Sequence, residues 1–305
     1  MIISASRRTD IPAFYTPWFM NRIREGYCSV PNPYNPSQIA TVSLHPEDVD
    51  VIVFWTRNPS PLLPHLKDLD SDGHHYYFLC TIMDNPPILE PHSATLEKST
   101  RAFRALADMI GPEKVIWRYD PIVFTRETTP DFHKKEYEKI ARELRGHTTR
   151  CIISTLNLYK KTSLRLKAAA VEMNSCEGEE YNNLMAFMAQ SARHCGMDIF
   201  SCAQEGDLAA YGIRHGKCID DRYIKETFGL EVTSRKDPSQ RRGCGCIVSK
   251  DIGMYDSCLF GCVYCYATSS LEKARENQRR HDQEAPSLIP QRAVPQIVES
   301  GCKAG

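Results

Sequence analysis

The sequence has no apolar run approaching the roughly 18 residues that a membrane-spanning helix needs. It has no excess of one charge either: 38 Lys and Arg stand against 38 Asp and Glu, so charge points neither to nucleic acid nor to an anionic membrane. A phosphate-cradling glycine loop, a Ser-His-Asp order, internal repeats and low-complexity tracts are all missing. The first residues reach Ser4, Ser6, Arg7 and Arg8 before the apolar region of a signal peptide can form, which gives the expectation of a cytoplasmic protein. What is present is ordinary globular usage, 42% hydrophobic and 25% charged, in 305 residues, enough for two common domains or one large barrel.

Cysteine is the exception. Thirteen occur in a chain too long to need disulfide staples, so metal binding or redox chemistry is the better default. Runs rich in Val, Ile, Phe and Tyr at 1–6, 49–55, 76–83, 114–119, 151–156 and 198–202 read as buried strands. Between them lie helical patterns: Leu96, Phe103, Leu106 and Ile110; Tyr137, Ile140 and Leu144 behind a Thr129-Pro130 cap; and Leu184, Phe187, Met188 and Cys195. This alternation predicts an α/β fold, a partial or complete (β/α) barrel of about six to seven parallel strands. One barrel-like domain is expected over 1–290, with a cysteine-dense segment at about 240–270, a charged helix over 269–282 and a weakly ordered tail over 291–305.

The loop Cys258-Leu259-Phe260-Gly261-Cys262-Val263-Tyr264-Cys265 packs three thiols into eight residues, and Gly261 permits the tight turn that lets them face one inorganic cluster. Three thiolates leave one iron of a four-iron cubane without a protein ligand. Cys202, Cys218, Cys244 and Cys246 make a full second set of four, suited to an auxiliary [4Fe-4S] cluster. Cys80 and Cys151, inside apolar strands, read as inert thiols, and Cys28, Cys176, Cys195 and Cys302 are given no role.

In Cys258, Cys262, Tyr264 and Cys265 the loop resembles the signature of the radical S-adenosylmethionine superfamily. That resemblance implies that the open iron binds the amino and carboxylate groups of S-adenosylmethionine, that Tyr264 lies against the adenine, and that reductive cleavage releases a 5′-deoxyadenosyl radical. It also implies a reducing partner such as a flavodoxin or ferredoxin. Because the motif stands near the C-terminus and superfamily members usually carry it near the start, a circular permutation is expected, with Ser6, Arg7 and Arg8 beside the cofactor. The stretches 4–10, 53–59, 117–121 and 244–267 resemble a bacterial domain-of-unknown-function family with radical-type cysteines at the C-terminus. The C-terminal motif with an auxiliary cluster is also similar to sulfur-inserting radical enzymes of nucleoside-antibiotic biosynthesis, which implies sulfur insertion into a sugar or nucleoside.

Each expected strand ends in polar groups, among them Arg57, Thr81, Arg118, Ser154 and Gln204-Glu205, where a parallel barrel opens its ligand mouth. Capping accounts for Asp, Asn, Ser and Thr at such places, but Arg57 and Arg118 call for an anionic partner, either the carboxylate of S-adenosylmethionine or a substrate phosphate. Thr81, Arg118 and Ser154 are thus expected at the cofactor mouth, whereas His74-His75 is expected to be a surface pair on opposite faces of a strand. Two readings compete with sulfur insertion: a radical enzyme whose second cluster relays electrons or anchors substrate, and a zinc-binding module on an α/β scaffold.

Overall fold

The computed structural model describes residues 1–204 and 206–290; Glu205, Cys302 and the tail expected over 291–305 lie outside the described residues. Among the described residues there are ten strands: β1 (Ile2–Ala5), β2 (Tyr27–Pro31), β3 (Ile39–Ser43), β4 (Val51–Thr56), β5 (Tyr76–Thr81), β6 (Val115–Ile122), β7 (Arg150–Thr155), β8 (Asp198–Ser201), β9 (Arg214–His215) and β10 (Lys250–Asp251). The α-helices are α1 (Ile11–Phe14), α2 (Thr16–Glu25), α3 (Leu66–Ser71), α4 (Leu96–Ile110), α5 (Pro130–Glu143), α6 (Lys160–Ala168), α7 (Gly178–His194), α8 (Asp221–Phe228) and α9 (Leu271–Arg280). Eight strands form one sheet in the order β10-β1-β4-β5-β6-β7-β8-β9, parallel at every pairing, while β2 and β3 make a separate antiparallel pair. The sheet thus exceeds the expected six to seven strands, and its outer members, β10 and β9, do not pair with each other among the described residues, so no closed barrel is seen.

Strand alternation sends successive side chains to opposite faces and creates two cores. One face carries Ile3, Phe54, Phe78, Trp117 and Ile153 and packs on Trp18 and Phe19 of α2, Phe103 of α4, Tyr137 of α5 and Met188 of α7. Trp117 stacks on Tyr137 with centroids 4.7 Å apart. Burying a Phe or Leu this fully is worth about 1.5–3 kcal/mol. The other face carries Ile2, Val53, Trp55, Tyr77, Leu79, Ile116 and Ile152, and is covered by Tyr223 and Ile224 of α8 together with Cys202, Cys218, Cys244 and Cys246. The Thr129 cap is present, its hydroxyl accepting from Phe132 N with Pro130 in the first turn of α5. Register shifts between Tyr119 and Ile122 of β6, where Pro121 has no N–H to give to the ladder.

The C-terminal segment returns to the N-terminal one. Ile3 pairs with Lys250 and Ser4 with Asp251. Beyond α9 the chain packs along α2, where the Trp18 indole donates to Ala285 O at 2.9 Å and Arg22 Nη2 to Glu284 O at 3.1 Å. Among the described residues no helix is long and apolar enough to cross a membrane.

Candidate metal centre

Four thiols from three separate segments converge on the α8-covered face of the sheet. Cys202 follows β8, Cys218 lies between β9 and α8, and Cys244 and Cys246 belong to the irregular chain before β10. The sulfurs of Cys202, Cys244 and Cys246 all lie within 4.8 Å of one another, and Cys218 Sγ is 3.3 Å from Cys202 Sγ. All four residues are buried. Hydrogen bonding with Cys202, Cys218 and Cys244 pulls the Cys246 thiol below its ordinary pKa. An all-sulfur donor set in an apolar surround fits a soft metal or an iron-sulfur cluster. All four expected members of the second set are therefore brought together.

The loop with Cys258, Cys262 and Cys265 runs past the C-terminal ends of the strands. Each of its thiols is half-buried, and Cys258 and Cys262 both feel the charge of Cys265. Burial pushes Cys262 up to about 12 against the opposing pull of Arg57, so ligation there releases a proton. Gly261 sits at φ +69°, in the left-handed region that favours glycine. Contacts pin the loop at both ends. Tyr15 OH donates to Ser257 O at 2.6 Å, Phe14 meets Phe260 at 4.8 Å between centroids, Val263 N donates to Leu89 O at 3.0 Å, and Tyr266 OH donates to Arg7 O at 3.0 Å.

Asp251 of β10 locks this region onto β1. Its carboxylate accepts from Ser4 Oγ at 2.9 Å, Ser6 Oγ at 2.7 Å and Arg7 N at 2.8 Å. Gly253 approaches so closely that a Cβ there would stand 2.1 Å from Ser6 Oγ. The Arg8 guanidinium lies 5.2 Å over the Tyr255 ring. Ser6, Arg7 and Arg8 are thus beside the segment leading into the cysteine loop. Thr81 pairs in register with Arg118, and alternation from Leu79, Ile116 and Ile152 places Thr81, Arg118 and Ser154 on the same face as the four thiols.

The anionic partner expected for Arg57 is supplied by the protein itself. Glu90, buried in the Pro-rich turn after β5, takes Arg57 in a bidentate pair of 2.6 and 2.8 Å. Tyr264 OH donates to the same carboxylate and accepts from Arg57 Nη2 at 2.8 Å, while Asn85 and Ser93 donate to it at 2.7 and 2.9 Å. Burial alone would raise Glu90, but the Arg57 charge and these hydrogen bonds hold it below the usual carboxylate range. Arg57 thus has its anionic partner in Glu90 and clamps the loop through Tyr264. Arg118 likewise finds Asp120, which strand alternation places on its own side, as ion-pair partner. One of its N–H groups nonetheless stays unpaired.

Glu90, Asp251 and Trp55 were not singled out from the sequence. An arginine demanding an anion was the only signal for Glu90, 33 residues away. His74 and His75 lie just before β5 and not on a strand, and because His74 is buried and only His75 exposed they are not the expected surface pair. A cavity of about 180 Å³ beside His74, Asp70, Lys114 and Phe228 opens at the start of β5, the opposite end of the strand from Thr81, and is not part of the cysteine region.

No curated protein matches this chain. The model of the family described as "Domain of unknown function (DUF1848)" matches residues 2–267, from β1 to the end of the cysteine loop, and the chain belongs to that family.

Proposed function

We propose that the protein is a radical S-adenosylmethionine enzyme with a second iron-sulfur cluster. The observation that carries this reading is the setting of the C-x3-C-x-Tyr-Cys loop. It follows a strand, β10, that pairs in parallel with β1, and it leads into helix α9. A strand-loop-helix unit at the edge of a parallel sheet is what the first unit of a barrel becomes when moved to the end of the chain, so a permuted, partial-barrel reading belongs to the same proposal.

When bound, the loop cluster supplies the electron that splits S-adenosylmethionine into methionine and a 5′-deoxyadenosyl radical. The chain's own residues fix the loop: the Arg57-Glu90-Tyr264 clamp holds its second half, and Asp251 ties its approach to Ser6 and Arg7. Four thiols ligate every iron of a second cubane and leave none open, which favours electron relay or sulfur donation over anchoring substrate at iron. The position of these thiols on the face that also carries Thr81, Arg118 and Ser154 favours sulfur insertion into a small molecule such as a sugar or nucleoside, with relay as the alternative. A flavodoxin or ferredoxin is the reducing partner this chemistry calls for.

A zinc site has one observation in its favour: tetrahedral zinc with Zn–S near 2.3 Å sets sulfurs about 3.8 Å apart, and three of the four sulfurs lie within 4.8 Å of one another. Metal analysis separates the readings. Protein purified and reconstituted without oxygen is expected to be brown and to hold about eight irons per chain, falling to about four when Cys258, Cys262 and Cys265 are replaced by alanine. Colourless protein with zinc in both sets overturns the proposal.

A further inference from the structure

Trp55, the inner residue at the end of β4, lies under two guanidiniums, Arg7 from the end of β1 at 5.0 Å and Arg118 from β6 at 4.9 Å from its ring centroid. Each of the three carries a buried N–H with no partner: Arg7 Nη2, Trp55 Nε1 and Arg118 Nε. A buried donor left unpaired is costly and rare, so three at one place, from β4, β6 and the segment after β1, call for an acceptor beyond those the described residues offer them.

Nearby acceptors are already engaged. Asp251 takes Ser4, Ser6 and the Arg7 backbone, Asp120 takes Arg118 Nη2, Ser249 Oγ takes Arg7 Nη1 at 3.1 Å, and none of the three orphaned N–H groups donates to a cysteine sulfur. Two planar guanidiniums over one indole ring, together with its neutral N–H, supply donors of the kind that the oxygens of a phosphate or carboxylate accept from. Arg7 also lies within electrostatic reach of Cys246 and Cys218 of the four-thiol set, and its backbone carbonyl accepts from Tyr266, next to Cys265, at 3.0 Å, so Arg7 neighbours both cysteine segments.

We propose that Arg7, Trp55 and Arg118 form a binding site for an oxyanion, a phosphate or carboxylate, carried by the small-molecule substrate. The identity of the occupant as substrate rests on the radical-enzyme reading; the anion site does not. Held there, the anionic end of the substrate fixes its reacting carbon between the loop and the four thiols.

The test titrates the reconstituted protein calorimetrically with inorganic phosphate and with acetate, in the absence and presence of saturating S-adenosylmethionine. At least one anion should bind, with the same affinity whether or not S-adenosylmethionine is present. Arg7→Gln and Arg118→Gln should each weaken it about tenfold or more, and Trp55→Phe, which keeps the ring and removes only the donor, about threefold to tenfold. Circular dichroism and iron content show whether each variant is folded and loaded, and Trp55→Phe keeps the test decisive if an arginine variant does not fold. No anion binding by the unaltered protein, or undiminished binding by the variants, overturns the site. Displacement of the anion by S-adenosylmethionine overturns the substrate assignment, because the cofactor's own carboxylate is then the occupant. Anion binding in a protein that yields no 5′-deoxyadenosine supports the site and removes the radical reading.

Discussion

Arg57, just after β4, and Arg118, within β6, belong to the same sheet two strands apart, and a sequence gives both the same demand for an anion. The fold answers them differently. Arg57 is satisfied by Glu90, Ser93 and Tyr264, whereas Arg118 keeps a buried N–H without an acceptor. His133 shows the same principle in a titrating group. It is fully buried on α5, with Nδ1 2.8 Å from Tyr119 OH and Nε2 3.0 Å from Val123 O, and burial lowers its pKa from 6.5 to about 4. Between those values the unfolded chain binds the proton and the folded one does not, so His133 lowers stability as pH falls from 6.5 toward 4, by about 3 kcal/mol at most. Asp10, raised by burial to about 6, acts in the opposite sense over much of the same range, losing its contribution as pH rises from 3.8. The informative quantity is therefore a difference: urea unfolding of His133→Gln against the unaltered protein should show a gap that narrows as pH falls from 7 to 4.5. A gap that does not change with pH contradicts the assignment.

At the scale of elements, the loop with Cys258 to Cys265 is pinned at both ends, and the Arg57-Glu90-Tyr264 clamp is the contact that carries an ion pair. Glu90→Gln leaves the Arg57 charge buried without its counter-charge and is expected to cost about 3 kcal/mol. Tyr264→Phe removes one hydroxyl and is expected to cost about 1 kcal/mol. Denaturant unfolding of the anaerobic protein measures both, and equal, negligible losses would show that the clamp does not hold the loop. The regular elements were legible where burial is strong. All six strands expected from apolar runs are present as β1, β4, β5, β6, β7 and β8, because a sheet covered on both faces requires continuous hydrophobic sequence. The pair β2-β3 was not, since most of its residues are exposed or half-buried. Neither were β9 and β10, two residues each and made of Arg214, His215, Lys250 and Asp251, which carry no hydrophobic signal. The candidate site was legible in part for the same reason. Cysteine type and spacing pointed to the four thiols that converge, but Glu90, Asp251 and Trp55 act through contacts between residues far apart in sequence, which neither spacing nor periodicity encodes.

Over the whole molecule, an eight-stranded parallel sheet begins with β1 and is extended at that edge by β10 from the far end of the chain. This arrangement sets the segment leading into the cysteine loop beside Arg7, which also lies over Trp55 on the face of the sheet that carries the four thiols. The proposed function requires that the loop thiols hold a cluster that cleaves S-adenosylmethionine. The direct measurement is the mass-spectrometric assay of 5′-deoxyadenosine after anaerobic incubation of the reconstituted protein with S-adenosylmethionine and dithionite. The unaltered protein should form it, and the variant with Cys258, Cys262 and Cys265 replaced by alanine should not. Product formed equally by that variant, or by neither protein when the unaltered one carries its full complement of iron, contradicts the account.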